Sequence, residues 1–220
     1  MVDQGKKSQK SLRKTNKGIQ SQGKYVKTSH TALKSRILVV SDLHVPYHHP
    51  DSFNFLEHLA SKYNPPKMVL LESNHGSMVL RRAMAKGMSK FFLKDYNEIL
   101  DVGTGWKWKE HHWEETPLGR VYFAHQVSKN IVKSVQTMSA SVVQGHYHTQ
   151  SNIEYVGNDF HLNWGMSVGC LVDKKSLAMA YMKINLAKPV LSCGVITDGV
   201  PSIVPMLLKQ DGSWDGKIYL

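Results

Sequence analysis

From about Ser35 onward, short apolar runs alternate with amphipathic stretches and turns. Arg36-Ile37-Leu38-Val39-Val40 is β-branched at three of five positions, which predicts a buried strand. It ends in the polar turn Ser41-Asp42-Leu43-His44. Asp51 or Ser52 is placed to cap a helix with an apolar face of Phe53, Phe55, Leu56, Leu59 and Tyr63, stopped by Asn64-Pro65-Pro66. Met68-Val69-Leu70-Leu71 predicts a second buried strand, running into Glu72-Ser73-Asn74-His75-Gly76. A helix from about Ser77, carrying Arg81 and Arg82, is expected next, then a short helix around Phe91–Leu100.

Beyond Gly103 the period changes to two. Trp106-Lys107-Trp108-Lys109 reads as a half-exposed strand. Arg120–Ala124 predicts a strand ending at His125, and 130–138 a turn or two of helix. Ser141–Gln144 predicts a strand ending at Gly145-His146-Tyr147-His148, and the last seventy residues several short strands. The pattern as a whole is α/β.

Composition adds a tail to this picture. The net charge is +11. Residues 1–35 hold nine Lys/Arg and one acid, Asp3, so the excess sits mostly in front of the domain. Poor in apolar residues, 1–34 is expected to be a basic disordered segment ahead of a domain spanning 35–220. Such a segment suits phosphate polymers through counterion release, or simply solubilises the chain. No run approaches the ~18 apolar residues of a membrane span, and the polar, lysine-rich start is unlike a secretory signal. Cys170 and Cys193 have apolar neighbours and are expected to be buried thiols in a reducing, cytoplasmic setting.

The chemistry gathers at strand ends. Four predicted strands finish in residues able to bind a metal: Asp42 and His44; Asn74 and His75; His125; His146 and His148. Sites in α/β proteins form outside the carboxyl ends of strands. Carboxylate, carboxamide and imidazole together suit Mn, Fe or Zn better than Ca, and the lack of Cys argues against a structural zinc site.

These motifs resemble those of the calcineurin-like metallophosphoesterases. Asp42-Leu43-His44 is similar to the family's D-x-H, Asn74-His75 to its G-N-H, His125 to its solitary histidine, and Gly145-His146-Tyr147-His148 to its G-H-x-H. The chain is most similar to bacteriophage-encoded, DNA exonuclease-like members, through Trp164-Gly165-Met166 and Gly169-Cys170-Leu171. The resemblance implies a sandwich of two β-sheets flanked by helices, in the host cytoplasm if phage-encoded. It implies two divalent ions, Mn first, then Fe or Zn. One would be held by Asp42, His44 and His148, the other by Asn74, His125 and His146, with an attacking water between them. His75 would be the general acid. The implied activity is hydrolysis of phosphate esters, phosphodiesters of nucleic acid before monoesters.

One family motif, G-D-x-x-D/N, whose Asp bridges the metals, is absent between His44 and Asn74. The acids there are Asp51, placed as a helix cap, Glu57, on the helix, and Glu72, a substitute bridge only if it reaches forward along its strand. Lys62–Pro66 looks like the approach to the missing motif's strand, yet Val69–His75 looks like the next strand, so a strand–helix unit is inferred to be deleted. One metal site is therefore expected to be weak, and turnover low. The alternative is a degenerate member that binds nucleic acid or a protein and catalyses little. The oligomeric state stays open.

Further features have simpler readings. Trp106, Trp108 and Trp113 beside lysines suit stacking on bases, or a strand with its Trp face in the core. Arg81 and Arg82 suit a phosphate, or a wetted helix face. His48 and His49 are read as exposed loop residues, and His111 and His112 as facing opposite ways on a strand.

Overall fold

A computed structural model describes residues 35–71, 78–94, 106–109, 111–176 and 186–219. The basic segment 1–34, Glu72, Asn74 and His75 lie outside the described residues. The described elements are β1 (Arg36–Ser41), α1 (Ser52–Tyr63), β2 (Lys67–Leu71), α2 (Met78–Ala85), a 3-10 turn (Lys90–Phe92), β3 (Trp106–Lys109), β4 (His111–Thr116) and β5 (Gly119–Ala124). They continue with α3 (Ile131–Met138), β6 (Ser141–Gln144), β7 (Ser151–Gly157), β8 (Leu162–Val168), β9 (Ser192–Thr197) and β10 (Val200–Pro205).

The strands form two five-stranded sheets, ordered β10-β9-β1-β2-β3 and β4-β5-β6-β8-β7. This is the α/β sandwich the motifs imply. β1 and β2 run parallel in direct contact, Ser41 opposite Leu71, so both leave the sheet at the same end. β5 and β6 are also parallel, with Ala124 opposite Gln144.

β1 is apolar throughout because both its faces are covered. Ile37 and Val39 meet Val121, Phe123, Val143 and Met166 of the second sheet. Leu38 and Val40 meet Phe55 and Leu59 of α1 and Trp214. On the second sheet's outer side, Ile131 and Val135 of α3 pack on Val142. Gly165 of β8 lets that helix close in: a Cβ there would overlap Ile131 and stand 2.9 Å from Val135 Cγ2. A polar tie also joins the sheets. Lys67 at the start of β2 donates to the buried Glu114 of β4 at 2.5 Å, and His112 reaches the same carboxylate.

Several local expectations are corrected. Phe53 is 51% exposed, so the buried face of α1 is Ser52, Phe55 and Leu59. Asp51 makes no side-chain cap, because its Oδ2 accepts the Trp214 N–H at 2.9 Å instead. His49 is buried, its Nε2 3.0 Å from the Gly212 carbonyl and its Nδ1 accepting the Asp51 N–H, while His48 packs edge-on against Phe53. Trp113 lies off the core face: Tyr122 and the Arg120 guanidinium, 4.3 Å from its ring centroid, cover it. The helix expected around Phe91–Leu100 begins as the 3-10 turn Lys90–Phe92, and 95–100 lie outside the described residues. Cys170 and Cys193 are buried free thiols, as their neighbours suggest.

Candidate metal centre

Each strand that reaches the site is short, ends in buried residues and gives way to a turn or bend. Asp42 has φ +49°, His44 φ +52° and His146 φ +63°. Non-glycine residues rarely adopt this left-handed region, and three of them together mark backbone held against its preference. The turns are locked from outside: the Leu171 N–H donates to the Asp42 carbonyl at 3.3 Å, and the Val190 N–H to that of His148 at 2.8 Å.

Asp42 is the hub. Its Oδ2 accepts the Ser41 hydroxyl and the His146 backbone N–H, each at 2.7 Å. Its Oδ1 lies 3.2 Å from the Nε2 of His44, 3.2 Å from that of His148 and 3.8 Å from that of His125. The His125 Nε2 is in turn 3.1 Å from the His146 Nδ1. Thus the sequence-predicted Asp42, His44, His125, His146 and His148 converge from β1, β5 and β6. The roles expected for Asn74 and His75 fall outside the described residues.

The electrostatics follow from burial. Desolvation alone would raise the Asp42 pKa, but hydrogen bonds from His148 and His44 and the nearby His125 hold it well below the usual carboxylate range. Burial pushes His125 down to about 4, with Asp42 opposing and His146 adding to the depression. His146 is lowered for the same leading reason. Asp42 is therefore ionised and His125 neutral at pH 7, the protonation states that metal ligation requires.

These residues fit a cation. One ligand atom from each of Asp42, His44 and His148 lies within 4.8 Å of the other two, and all three residues are buried. The buried Nδ1 of His125 has no hydrogen-bond partner. A carboxylate with imidazoles is a donor set for Mn, Fe or Zn.

Two residues support the cluster, and only the second escapes a motif-based reading. Gly145 is one: a Cβ on it would collide with the Ser41 hydroxyl and stand 2.7 Å from Asp42 Oδ2, so only glycine lets this turn meet β1. Gln144 is the other. Fully buried, it accepts from the Val127 and Ser128 N–H groups and donates to the Ser128 carbonyl at 2.8 Å. It thereby fixes the loop that leaves His125. An amide closing the apolar run of β6 was the available signal.

No family model and no curated protein matches the sequence. Solved structures do. Vps29 from Chaetomium thermophilum is similar at a TM-score of 0.50 and 11% identity, covering 82% of this chain and 94% of that one. The same protein complexed with the RaPID-derived cyclic peptide RT-D3 gives 0.51 and 13%, covering 84% and 94%. At such identities the likeness is one of fold. It extends across most of both chains, and the chain has the two-sheet fold of the calcineurin-like metallophosphoesterases.

Proposed function

We propose that the chain is a metal-dependent phosphoesterase acting on phosphodiesters, with nucleic acid as the preferred polymer. One observation carries this reading: Asp42, His44 and His148 meet in a buried cluster at the end of the sandwich where β1 and β6 terminate, with His125 and His146 against it. Asp42, His44 and His148 would hold one divalent ion, manganese before iron or zinc, and Asn74, His125 and His146 a second. A bound cation would supply Lewis acidity toward a phosphoryl oxygen and toward the attacking water.

The chain's own residues do the rest. Asp42 brings the anionic charge, and its fixed Oδ2 orients Oδ1 toward the imidazoles. His125 stays neutral and so keeps a lone pair available. His75 donates the proton that the leaving alkoxide needs. The described part of the cluster has one carboxylate among four imidazoles, so a second dication would face its neighbour with little anionic compensation. That, with the absent G-D-x-x-D/N motif, supports a weak second site and slow turnover. The phage exonuclease-like resemblance and a cytoplasmic setting belong to this same reading. Among the described residues, no helix is long and apolar enough to cross a membrane.

The test is Mn²⁺-dependent hydrolysis of bis(p-nitrophenyl) phosphate by wild type beside Asp42→Ala. Turnover that Asp42→Ala abolishes supports the enzyme. Equal silence across Mn²⁺, Fe²⁺ and Zn²⁺ sinks it. The single carboxylate also favours a second reading, a binding module with a vestigial site; less than one bound ion per chain would favour that one.

A further inference from the structure

After β2 the chain presents a surface that the site does not use. In 78–94 there are five cations, Arg81, Arg82, Lys86, Lys90 and Lys94, and no acid. All five are exposed. Apolar side chains stand among them in water: Met84 is 47% exposed, Met88 51%, Phe91 89% and Phe92 77%. The two rings do not stack on each other. Their centroids are 5.3 Å apart at 89°, which leaves ring faces open in two directions.

This is ordered structure. The Ser89 hydroxyl accepts the Phe91 N–H at 3.3 Å, and the Phe92 N–H donates to the Ser89 carbonyl at 3.1 Å. Upstream, the Met88 N–H donates to the Ala83 carbonyl at 3.0 Å. A hydrogen-bonded turn that holds two phenyl rings in solvent gains nothing from burying them, so its stability is not the reason they are there.

We propose that Arg81–Lys94 is a docking surface for single-stranded nucleic acid, Phe91 and Phe92 stacking on bases while the flanking cations meet phosphates. The proposal deepens, and rests on, the phosphodiesterase reading. Interleaved cations and exposed ring faces are what an unpaired strand requires, since every base offers a π-face and every nucleotide a charge. A lipid surface is a poorer match, because interfacial helices separate a broad apolar face from a cationic one, whereas Lys90 directly precedes the two rings. A second copy is poorer still, since a two-fold contact would set five cations against five. β2 leaves its sheet beside the end of β1, and seven residues from Leu71 to Met78 span at most about 25 Å.

The full chain is titrated, in EDTA and at fixed salt, against fluorescein-labelled oligo(dT), oligo(U) and a duplex of equal length. Phe91→Ala/Phe92→Ala is expected to weaken either single strand about 10-fold or more, with unchanged circular dichroism and unchanged metal-dependent hydrolysis of bis(p-nitrophenyl) phosphate. Phe91→Trp/Phe92→Trp should restore binding. Lys90→Gln/Lys94→Gln should reduce the salt slope by roughly 1.4, from about 0.7 per phosphate on a single strand. The basic N-terminal segment is common to all variants and cancels. Wild-type binding by the alanine variant overturns the proposal. So does equal loss on duplex, loss confined to anionic vesicles, or a wild-type dimer that the variant dissolves. Because EDTA removes catalysis, single-strand binding without diester hydrolysis would sink the phosphodiesterase reading and leave this surface standing.

Discussion

Two regions of the molecule sit on the chain just past neighbouring strands and are built by opposite rules. Past β1 and β6, the metal-centre residues hang on buried strands, their carbonyls and carboxylate oxygens held by Ser41, His146, Leu171 and Val190. Past β2, α2 and the 3-10 turn leave cations and aromatic rings in water. The first arrangement ties its side chains down with buried hydrogen bonds and tolerates little change. The second leaves its side chains exposed, so changes there should cost the fold little. Substitutions should therefore separate the two regions by the size of their effect on stability and on metal.

The largest effect is expected from Asp42→Asn. It removes the one carboxylate of the described cluster, and diester hydrolysis should fall by a factor on the order of 10³, with metal content by elemental analysis dropping to background. Retained metal would mean that another group carries the anionic charge. Next is Gly145→Ala, whose methyl overlaps Ser41. A loss of about 2–4 kcal/mol in urea unfolding, together with weakened metal binding, is expected. Gln144→Leu should cost about 2–3 kcal/mol, because three backbone groups of the loop after β5 lose their partner. Its metal affinity should fall mainly through the His125 site.

A pH series probes the same region without mutation. His125 is held down to about 4, while in the unfolded chain it titrates near 6.5. Between those values the unfolded state binds the extra proton. The metal-free protein should thus keep full stability above about pH 6.5 and lose it as pH falls toward 4, by about 3 kcal/mol from this group. Asp42, depressed in the fold, adds a further loss at more acid pH. A flat urea midpoint from pH 7 to 4 would contradict the burial of His125. The smallest effect is expected in the other region: Phe91→Ala/Phe92→Ala should move the unfolding free energy by less than about 0.5 kcal/mol.

Much of this was legible in the sequence where neighbouring residues decide the outcome. Ile37–Val40 reads as a buried strand, which both clusters bear out, and its polar continuation marked Asp42 and His44. The turn Gly145–His148 announced itself in the same way. What escaped depends on residues far along the chain. His49 reads as a loop histidine until Gly212 meets its Nε2, and Asp51 reads as a helix cap until the Trp214 N–H claims its carboxylate. Phe53 fits the apolar period of α1, yet the helix buries Ser52, Phe55 and Leu59, a face turned away from Phe53. Trp113 and Glu114 reverse the usual assignment, because Lys67 and His112 neutralise an inward carboxylate while Arg120 covers the indole.

The pairing of β1 with β9 also bears on how the protein is made. Arg36 lies opposite Thr197, so the first strand of the domain waits for one of the last before its second edge is satisfied. Residues around His49 and Asp51 wait longer, for Gly212 and Trp214. Contacts of such sequence separation close late and slow folding. A ribosome-bound chain stopped short of β9 would carry Asp42, His44 and His148 with the β1 ladder half made, and these ligands would settle into place only as the last strands are released.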